Sequence, residues 1–238
     1  MAATRPLSGL RLVPAYLDRP AQEALLTALR AVFARAPLYT PRMPKSGKPL
    51  SVRMTNCGPF GWVTDEAGYR YQPLHPHTGQ PWPAMPDIVI EAWKSLAGYP
   101  HTPECCLINY YGGAAKMGLH QDRDELDFGA PVVSLSLGDT CLFRIGGTKR
   151  SEPTRTMRLA SGDAVVLGGE ARLAFHGVPE SWLSYLAVDD VDARVKAAKA
   201  AGAKVMREPF DVPTVGRIAI IQAPGGATIA WITPVNDR

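Results

Sequence analysis

A run of short strand-like segments between residues 105 and 176 limits this chain to a small number of folds. In each segment, apolar residues alternate with polar ones or form a brief continuous run, and turns that contain glycine separate the segments. Such segments are typical of strands with one or both faces buried. Strands this short, in a series, favour a β-sandwich or a jelly roll. The predicted strands are Cys105–Tyr111, Val132–Leu137, Leu142–Ile145, Ala164–Leu167 and Leu173–His176.

The composition agrees with a turn-rich globular protein. The chain holds 22 prolines and 22 glycines among 238 residues, which favours a β-rich body over a helix bundle. Its shares of hydrophobic residues (46%) and charged residues (20%) are ordinary for a soluble protein. The net charge of +4 permits a polyanionic partner but does not require one, because nucleic-acid binding depends on local clusters of Lys and Arg.

The cysteines and the apolar runs predict the compartment. Cys57, Cys105, Cys106 and Cys141 form no C-x-x-C pair, which favours reduced cysteines in the protein core. The N-terminus lacks the apolar core of a signal peptide, and no apolar run reaches membrane-spanning length. We therefore expect a cytoplasmic protein that does not contact membranes.

The region before the predicted strands contains helix signals and an aromatic, turn-rich stretch. Residues 1–17 predict an extended lead-in, and Asp18 caps a helix that Pro37 stops. A second short helix is predicted around Val89–Leu96, where apolar residues share one face. The stretch from 51 to 86 is typical of a loop-and-hairpin lid rather than a core element.

A different pattern begins after Pro179 and predicts a β-α-β-β-β unit. Asp189 or Asp190 caps its helix, and Gly202 ends the helix in the left-handed conformation. We place a domain boundary near residues 179–181, which gives domains 1–179 and 180–238. The predicted strands of this tail are Ser181–Val188, Ala203–Met206, Arg217–Gln222 and Thr228–Thr233.

The tripeptide His120-Gln121-Asp122 is a candidate metal site. On an extended segment, residues i and i+2 point to the same side, so both side chains can bind one ion. His176, at the end of a predicted strand, is placed to complete two histidines and one carboxylate, a ligand set typical of non-haem Fe(II). Taken alone, an H-x-D tripeptide is more often part of a surface turn than of a ligand set.

Several motifs over about residues 8–179 resemble, in sequence and order, the AlkB-type Fe(II)- and 2-oxoglutarate-dependent dioxygenases. The resemblance implies a double-stranded β-helix, or jelly roll, with N-terminal helices and with Fe(II) bound by His120, Asp122 and His176. The fold class is thus α+β, with the β-α-β-β-β half-module following. The motifs are Met54–Gly58 with Gly61-Trp62, Pro81–Pro86, Cys106–Tyr111, Leu119–Glu125, Phe143–Gly147, Gly162–Val166 and Gly168–Arg172.

The same resemblance implies an activity and its co-substrates. AlkB-type enzymes use Fe(II), 2-oxoglutarate and O2 to remove alkyl groups oxidatively from nucleic-acid bases, and they release succinate, CO2 and an aldehyde. The implied partner is alkylated DNA or RNA, single-stranded or with a flipped base. The alternative is a catalytically impaired iron- or nucleic-acid-binding protein that oligomerises through its tail.

Four further residues match family positions at the substrate. Trp62 and Tyr69 match residues that line the pocket for the damaged base, with Trp62 and the His120 ring enclosing the base. Asp124 matches the residue that meets the exocyclic group, and Arg150 matches an arginine near the base or the backbone. Without the resemblance, Asp124 is a solvated acid and Arg150 part of a solvated positive face.

Asn109 and Tyr111 match residues that hydrogen-bond 2-oxoglutarate, and a predicted strand places them on one face. A structural role for a buried Asn is the alternative. The family's last strand, R-x-N-x-x-x-R, supplies arginines that bind the 2-oxoglutarate carboxylates, and this chain lacks that segment. Arg217 is the best substitute by residue type, but its spacing does not place it at the site.

The tail instead resembles one module of the glyoxalase, or vicinal-oxygen-chelate, family. Its final strand carries no acid, so we expect no metal site there. A single such module is expected to cover its open face, either against the first domain or against a second copy in a homodimer. The matching segments are Tyr185–Ala193, Ala200–Val205, Pro209–Pro213 and Gly216–Ile220.

Overall fold

The computed structural model describes residues 7–113, 115–179, 185–224 and 228–235. Contacts between residues divide the chain into one unit from Met1 to Ser181 and a second unit from Trp182 to Arg238. Within the described residues, β-strand is the main regular structure and three α-helices are present. None of these helices is both long enough and apolar enough to cross a lipid bilayer.

The described part of the first unit contains two α-helices, a 3-10 helix and a series of short strands. The helices are α1 (Arg19–Arg35) and α2 (Asp87–Leu96), and the 3-10 helix spans Gly169–Leu173. The strands are β1 (Leu10–Val13), β2 (Arg53–Cys57), β3 (Gly61–Asp65), β4 (Gly68–Gln72), β5 (Cys106–Tyr110), β6 (Met117–His120), β7 (Val132–Leu135), β8 (Cys141–Ile145), β9 (Arg155–Leu159), β10 (Ala164–Leu167) and β11 (His176–Val178).

Helix α1 begins and ends where its sequence predicts. The Asp18 carboxylate accepts a hydrogen bond from the Ala21 backbone N–H at 2.9 Å, which satisfies one of the free donors of the first turn. Pro20 occupies that first turn, where its missing N–H costs nothing. The helix ends at Arg35, two residues before Pro37.

Two antiparallel sheets form the centre of the unit. One has the strand order β6-β11-β8-β9 and the other the order β1-β10-β7. Phe143 and Ile145 of β8 pack in one buried cluster with Val165 and Leu167 of β10, so the two sheets share a core. This two-layer arrangement is consistent with the predicted jelly roll.

The remaining strands form two smaller pairs. Strand β2 pairs with β5, and β3 forms a hairpin with β4. Among the strands that the structure describes, β5 pairs with β2 alone and β7 pairs with β10 alone. Each therefore has one edge without a described strand partner, in a chain whose sequence lacks the family's last strand.

Two predictions for this unit are wrong. The segment Leu173–His176 is not a strand, because the 3-10 helix ends at Leu173 and β11 begins only at His176. The stretch from 51 to 86 is not merely a lid, since Met54 and Thr55 of β2 are buried and the strand pairs along its full length with β5. Residues 1–6 of the predicted lead-in lie outside the described residues, and the rest of it contains β1.

The tail unit has the predicted β-α-β-β-β order. Its elements are β12 (Tyr185–Ala187), α3 (Val191–Ala200), β13 (Lys204–Val212), β14 (Gly216–Gln222) and β15 (Thr228–Pro234). They form one sheet of order β12-β15-β14-β13, in which β12 and β15 are parallel. Residues 181–184 of the predicted strand Ser181–Val188 lie outside the described residues, as do 180 and 181 at the predicted boundary.

The tail core lies between α3 and one face of this sheet. Val191 and Val195 of the helix pack against Ala219 and Ile221 of β14, and all four side chains are buried. Asp190 caps α3, because its carboxylate accepts from the backbone N–H of Ala193 at 3.1 Å. The strand-like segments, the aspartate cap and Gly202 are signals within a few residues of the chain, and they predicted the strand, the capped helix and the antiparallel strands of the tail.

Candidate metal centre

Two neighbouring strands place His120 and His176 opposite each other, with their rings tilted by 52°. His120 ends β6, His176 begins β11, and the two residues are direct partners in the antiparallel pair. Their ring centroids lie 4.4 Å apart. Partners in such a pair project from the same side of a sheet, so the topology places both rings on one side.

Asp122 completes the cluster. Its Oδ1 lies 3.5 Å from Nε2 of His120, and its Oδ2 lies 3.5 Å from Nε2 of His176. One ligand atom from each of the three residues lies within 4.8 Å of the others. The structure therefore brings together the three residues that the sequence proposes as metal ligands.

Backbone carbonyls fix which nitrogen each histidine offers. Nδ1 of His120 lies 2.9 Å from the Gly118 carbonyl oxygen, and Nδ1 of His176 lies 3.0 Å from that of Ala174. A carbonyl accepts only, so each Nδ1 carries a proton, and each Nε2 faces the cluster and can offer its lone pair to a metal ion once it has lost its own proton. Two imidazole nitrogens and a carboxylate in this arrangement fit the ligand set of non-haem Fe(II).

The electrostatics of the cluster favour a charged Asp122. Burial alone raises the pKa of this carboxyl group, but hydrogen bonds and positive charge from His120 and His176 outweigh burial and hold the pKa well below its usual range. For His120, burial lowers the pKa, and the hydrogen bond to Asp122 reverses that effect and raises it. Asp122 is thus an ionised ligand at neutral pH.

The aromatic hairpin β3–β4 presents a stacked pair near the cluster. The rings of Trp62 and Tyr69 lie 5.6 Å apart with an interplanar angle of 21°. The indole N–H of Trp62 donates to Oδ2 of Asp124 at 2.8 Å, and Asp124 lies two residues beyond the ligand Asp122. Three of the residues predicted to contact the base therefore lie together, whereas the placement of Trp62 against the His120 ring stays a prediction.

Two other aromatic residues have structural partners. Trp82 is 6% exposed, packs with Ala36, Tyr39 and Val63, and donates its indole N–H to the Gln72 carbonyl. Tyr71 donates its hydroxyl hydrogen to Glu125 at 2.7 Å. The sequence left open that these two aromatic residues fill a core. Trp82 does so, because it is buried in an apolar cluster.

Asn109 and Tyr111, the predicted 2-oxoglutarate ligands, lie at the end of β5. Asn109 is exposed and pairs with Met54 of β2, so it is not the buried Asn of the structural alternative. Tyr111 follows the strand's last residue, and burial together with the charges of Cys141 and Asp122 holds its pKa well above the usual range. Its hydroxyl group therefore stays protonated and can donate a hydrogen bond.

Arg150 and Arg217, the two arginines considered for the site, both have partners. Arg150 is exposed, donates to the Leu119 carbonyl at 2.7 Å and lies over the Phe175 ring. Arg217 donates to the carboxylates of Asp192 and Asp211 within the tail unit. Its charge is therefore already balanced there by two acids.

Arg172 and Glu125 also contact the candidate site, although neither is among the site residues predicted from the sequence. Arg172 is only 3% exposed and donates to the backbone carbonyl of Asp122 and to the carboxylate of Glu125. One signal was available, because Arg172 is a charged residue inside the otherwise apolar segment Ala171–Phe175. Charged residues are seldom buried without a specific partner.

Comparisons with known proteins agree with this geometry. A sequence profile of the 2OG-Fe(II) oxygenase superfamily matches residues 9–185. The chain is 52% identical over 170 residues to an alpha-ketoglutarate-dependent dioxygenase AlkB homolog of Caulobacter vibrioides, a match that covers 71% of this chain and 77% of the relative. It is 44% identical over 162 residues to the alpha-ketoglutarate-dependent dioxygenase AlkB of Escherichia coli, which covers 66% of this chain and 74% of that protein.

A solved structure with a related name has a similar fold. The structure of OsALKBH1 superposes with a TM-score of 0.62 and 29% sequence identity, covering 76% of this chain and 88% of that one. The family match over residues 9–185 includes the three clustered residues His120, Asp122 and His176. This chain belongs to the 2OG-Fe(II) oxygenase superfamily, whose members use Fe(II), 2-oxoglutarate and O2.

Proposed function

We propose that this protein removes alkyl groups oxidatively from nucleic-acid bases, with Fe(II) held by His120, Asp122 and His176. The observation that carries the proposal is the convergence of these three ligand atoms, together with the hydrogen bond from Trp62 of the stacked Trp62–Tyr69 pair to Asp124, two residues after the ligand Asp122. Relatives named as a DNA N(6)-methyladenine demethylase in Arabidopsis thaliana and a tRNA demethylase in Schizosaccharomyces pombe support a nucleic-acid substrate, DNA or RNA.

The protein's own groups prepare the metal site. The Gly118 and Ala174 carbonyls hold the Nδ1 protons of the two histidines, so each Nε2 stays available as a ligand. Asp122 supplies the negative charge that balances part of the charge of the metal. When bound, Fe(II) with 2-oxoglutarate and O2 supplies the oxidation of the alkyl carbon, and the products are succinate, CO2 and an aldehyde.

The aromatic hairpin is suited to bind a base taken out of its stack. Trp62 and Tyr69 offer flat apolar surfaces, and Tyr69 is 48% exposed, so its ring is accessible to a ligand. The indole N–H of Trp62 fixes the orientation of the Asp124 carboxylate. A carboxylate there favours a base that N-alkylation has made cationic. Arg150, beside Leu119, is proposed to lie near the base or the backbone.

Asn109 and Tyr111 are proposed to bind 2-oxoglutarate. Both lie at the end of β5, next to the segment that leads into β6 and its ligand His120. Because the Tyr111 hydroxyl stays protonated, it can donate to a carboxylate of the co-substrate. The amide of Asn109 offers a second donor from the exposed end of the strand.

The proposal is tested with an oligonucleotide that carries an N-methylated base. The full chain, Fe(II), 2-oxoglutarate and O2 should yield succinate and formaldehyde in equal amounts, and the base should return to its unmethylated form. Asp122→Ala is the matched control, since it removes one ligand and leaves the aromatic hairpin intact. Succinate without formaldehyde and without loss of the methyl group would show that 2-oxoglutarate is consumed without oxidation of the base, and would refute this function.

The binding-only alternative is not favoured. Relatives at 52% and 44% identity are named dioxygenases, and the ligand set and the aromatic pair are both present. Impaired turnover remains testable by the same assay. A protein that binds iron and the oligonucleotide but forms no succinate would restore the alternative.

For the tail, we propose a glyoxalase-like half-module spanning residues 180–238 that follows a dioxygenase domain of residues 1–179. The β-α-β-β-β order and the sheet order β12-β15-β14-β13 support the proposal. The module is proposed to mediate a homodimer, which light scattering of the full chain would test. A monomer at all concentrations would contradict it. The cytoplasm is the proposed compartment, because all four cysteines are free thiols, as in reducing compartments.

A further inference from the structure

Arg172 is a buried cation with three directed hydrogen bonds to one loop. Its Nε donates to the Ala130 carbonyl at 2.7 Å, Nη1 to the Asp122 carbonyl at 2.6 Å, and Nη2 to Oε2 of Glu125 at 3.0 Å. The guanidinium also lies 5.5 Å from the centre of the Phe128 ring. All four partners belong to the segment from 122 to 130, which begins with a proposed metal ligand.

The chemistry of this contact requires an arginine. A buried cation is costly unless it is paired and its donors are satisfied. Here one carboxylate balances the charge, and two carbonyls accept from two other N–H groups. A lysine ammonium is a single point of charge and cannot reach three acceptors spread over nine residues in the same planar arrangement.

A second contact from the same 3-10 helix strengthens the attachment. The side-chain amide of Gln121 donates to the Leu173 carbonyl at 2.6 Å. Leu173 lies three residues before His176, and Gln121 lies directly before Asp122. The turn that precedes one histidine ligand therefore holds both Gln121 and the backbone of the carboxylate ligand.

The same loop is attached to the aromatic hairpin. Glu125, which pairs with Arg172, accepts a hydrogen bond from Tyr71 of β4 at 2.7 Å. Tyr71 lies opposite Trp62 in the β3–β4 pair, and Trp62 donates to Asp124. Burial and the Glu125 hydrogen bond hold the pKa of Tyr71 well above its usual range, so this hydroxyl remains a donor.

We propose that Arg172 is a positioning residue for the metal centre and that it couples the centre to the aromatic hairpin through Glu125 and Tyr71. By fixing the Asp122 backbone, it directs the Asp122 carboxylate toward both Nε2 atoms. The inference rests on the proposed function for the three metal ligands and for the role of the hairpin, but not for the nucleic-acid substrate.

The test uses Co(II) as a probe of the metal site in the full chain. Arg172→Lys and Arg172→Gln should bind Co(II) at least about tenfold more weakly, the usual scale for losing a group that orients a ligand. Their visible Co(II) spectra at saturation should also differ from wild type, because the ligand geometry changes. Leu96→Ala is the control for destabilisation alone: Leu96 is buried on α2 and packs on Ala164 and Val166. It should lower the melting temperature and leave Co(II) affinity and spectrum unchanged.

The coupling is tested by combining Tyr71→Phe with Arg172→Gln. Tyr71→Phe should weaken Co(II) binding in the wild-type background and have less effect in the Arg172→Gln background. Wild-type Co(II) affinity and spectrum in folded Arg172 variants would overturn the positioning role. If those variants do not fold, Glu125→Gln and Tyr71→Phe decide, and unchanged Co(II) affinity in both would overturn the proposal. Because every readout is metal binding, the result is independent of whether the protein demethylates nucleic acid.

Discussion

Both units of this protein bury an apolar core, but they differ in whether polar side chains are buried as well. Among the described residues, the buried polar and charged side chains all lie in the first unit. They are Thr55, Asn56, Thr64, His75, Asp163, Arg172 and His176. The core of the tail consists of Val191, Val195, Ala219 and Ile221. A buried polar group depends on specific partners, whereas an apolar core depends mainly on volume. Substitutions of these buried polar groups should therefore disturb geometry, whereas substitutions in the tail core should mainly lower stability.

The sharpest expected effect is the loss of iron from the first unit. Asp122→Ala removes the ligand that lies 3.5 Å from Nε2 of both histidines, and two neutral nitrogens alone hold Fe(II) poorly. We expect iron stoichiometry close to zero after anaerobic reconstitution. Asp124→Ala is the matched control, because it removes a neighbouring acid that is not a proposed ligand. Full iron content in Asp122→Ala would refute the ligand assignment.

The corresponding change in the tail should affect stability and leave the metal in place. Ile221 is 2% exposed, and truncation of such a residue to alanine costs about 2–4 kcal/mol through lost burial and the cavity left behind. We expect Ile221→Ala to unfold the tail at lower denaturant, measured by hydrogen exchange of its amides. Ile221→Val should show a smaller loss. Loss of iron in Ile221→Ala would show that the units are not independent.

The sequence predicted the elements whose signals are local. Asp18 and Pro37 bound α1, Asp190 caps α3, and the apolar run Ala164–Leu167 is β10 without adjustment. The i, i+2 spacing of His120 and Asp122 likewise indicated side chains on one side of the chain. In each case the information lies within a few residues.

The errors occurred where buried polar groups hide the pattern. In β2, Thr55 donates to the Ala36 carbonyl and the Asn56 side chain bonds to the Trp62 backbone, so polar residues occupy core positions and the segment resembled a loop. The apolar run Leu173–Phe175 resembled a strand, but the 3-10 helix includes Leu173 and β11 begins only at His176. The partners of Arg172 lie about fifty residues earlier in the chain, so no local pattern could indicate them.

A smaller effect is expected for the aromatic hairpin. Trp62→Ala removes one ring of the stacked pair and should weaken binding of a methylated single-stranded oligonucleotide by about 1–3 kcal/mol, the scale for losing an aromatic–base stack. Iron content should remain, because Trp62 donates to Asp124 and not to a ligand. Trp82→Phe, a change in the buried cluster, is the control for altered packing. Equal affinity of wild type and Trp62→Ala would make Trp62 a structural residue.

The smallest expected effect concerns Arg217, and it tests whether any chemistry belongs to the tail. The sequence lacks the R-x-N-x-x-x-R segment of the family, and loss of charge-assisted contacts costs a few kcal/mol, so 2-oxoglutarate should bind roughly a hundredfold more weakly than to a complete family member. Arg217 is the cation of the tail that residue type favours as a substitute. Its N–H groups already donate to the carboxylates of Asp192 and Asp211 within the tail. Binding of Arg217 to a co-substrate would require these hydrogen bonds to break. We therefore expect Arg217→Ala to leave the affinity for 2-oxoglutarate unchanged, measured by calorimetry on the oxygen-free, Fe(II)-loaded protein.

Lys199→Ala, which removes another cation of the tail, is the matched control. A loss of affinity in Arg217→Ala alone would show that a cation of the tail binds 2-oxoglutarate. The tail would then take part in the chemistry of the first unit and would not have a structural role only.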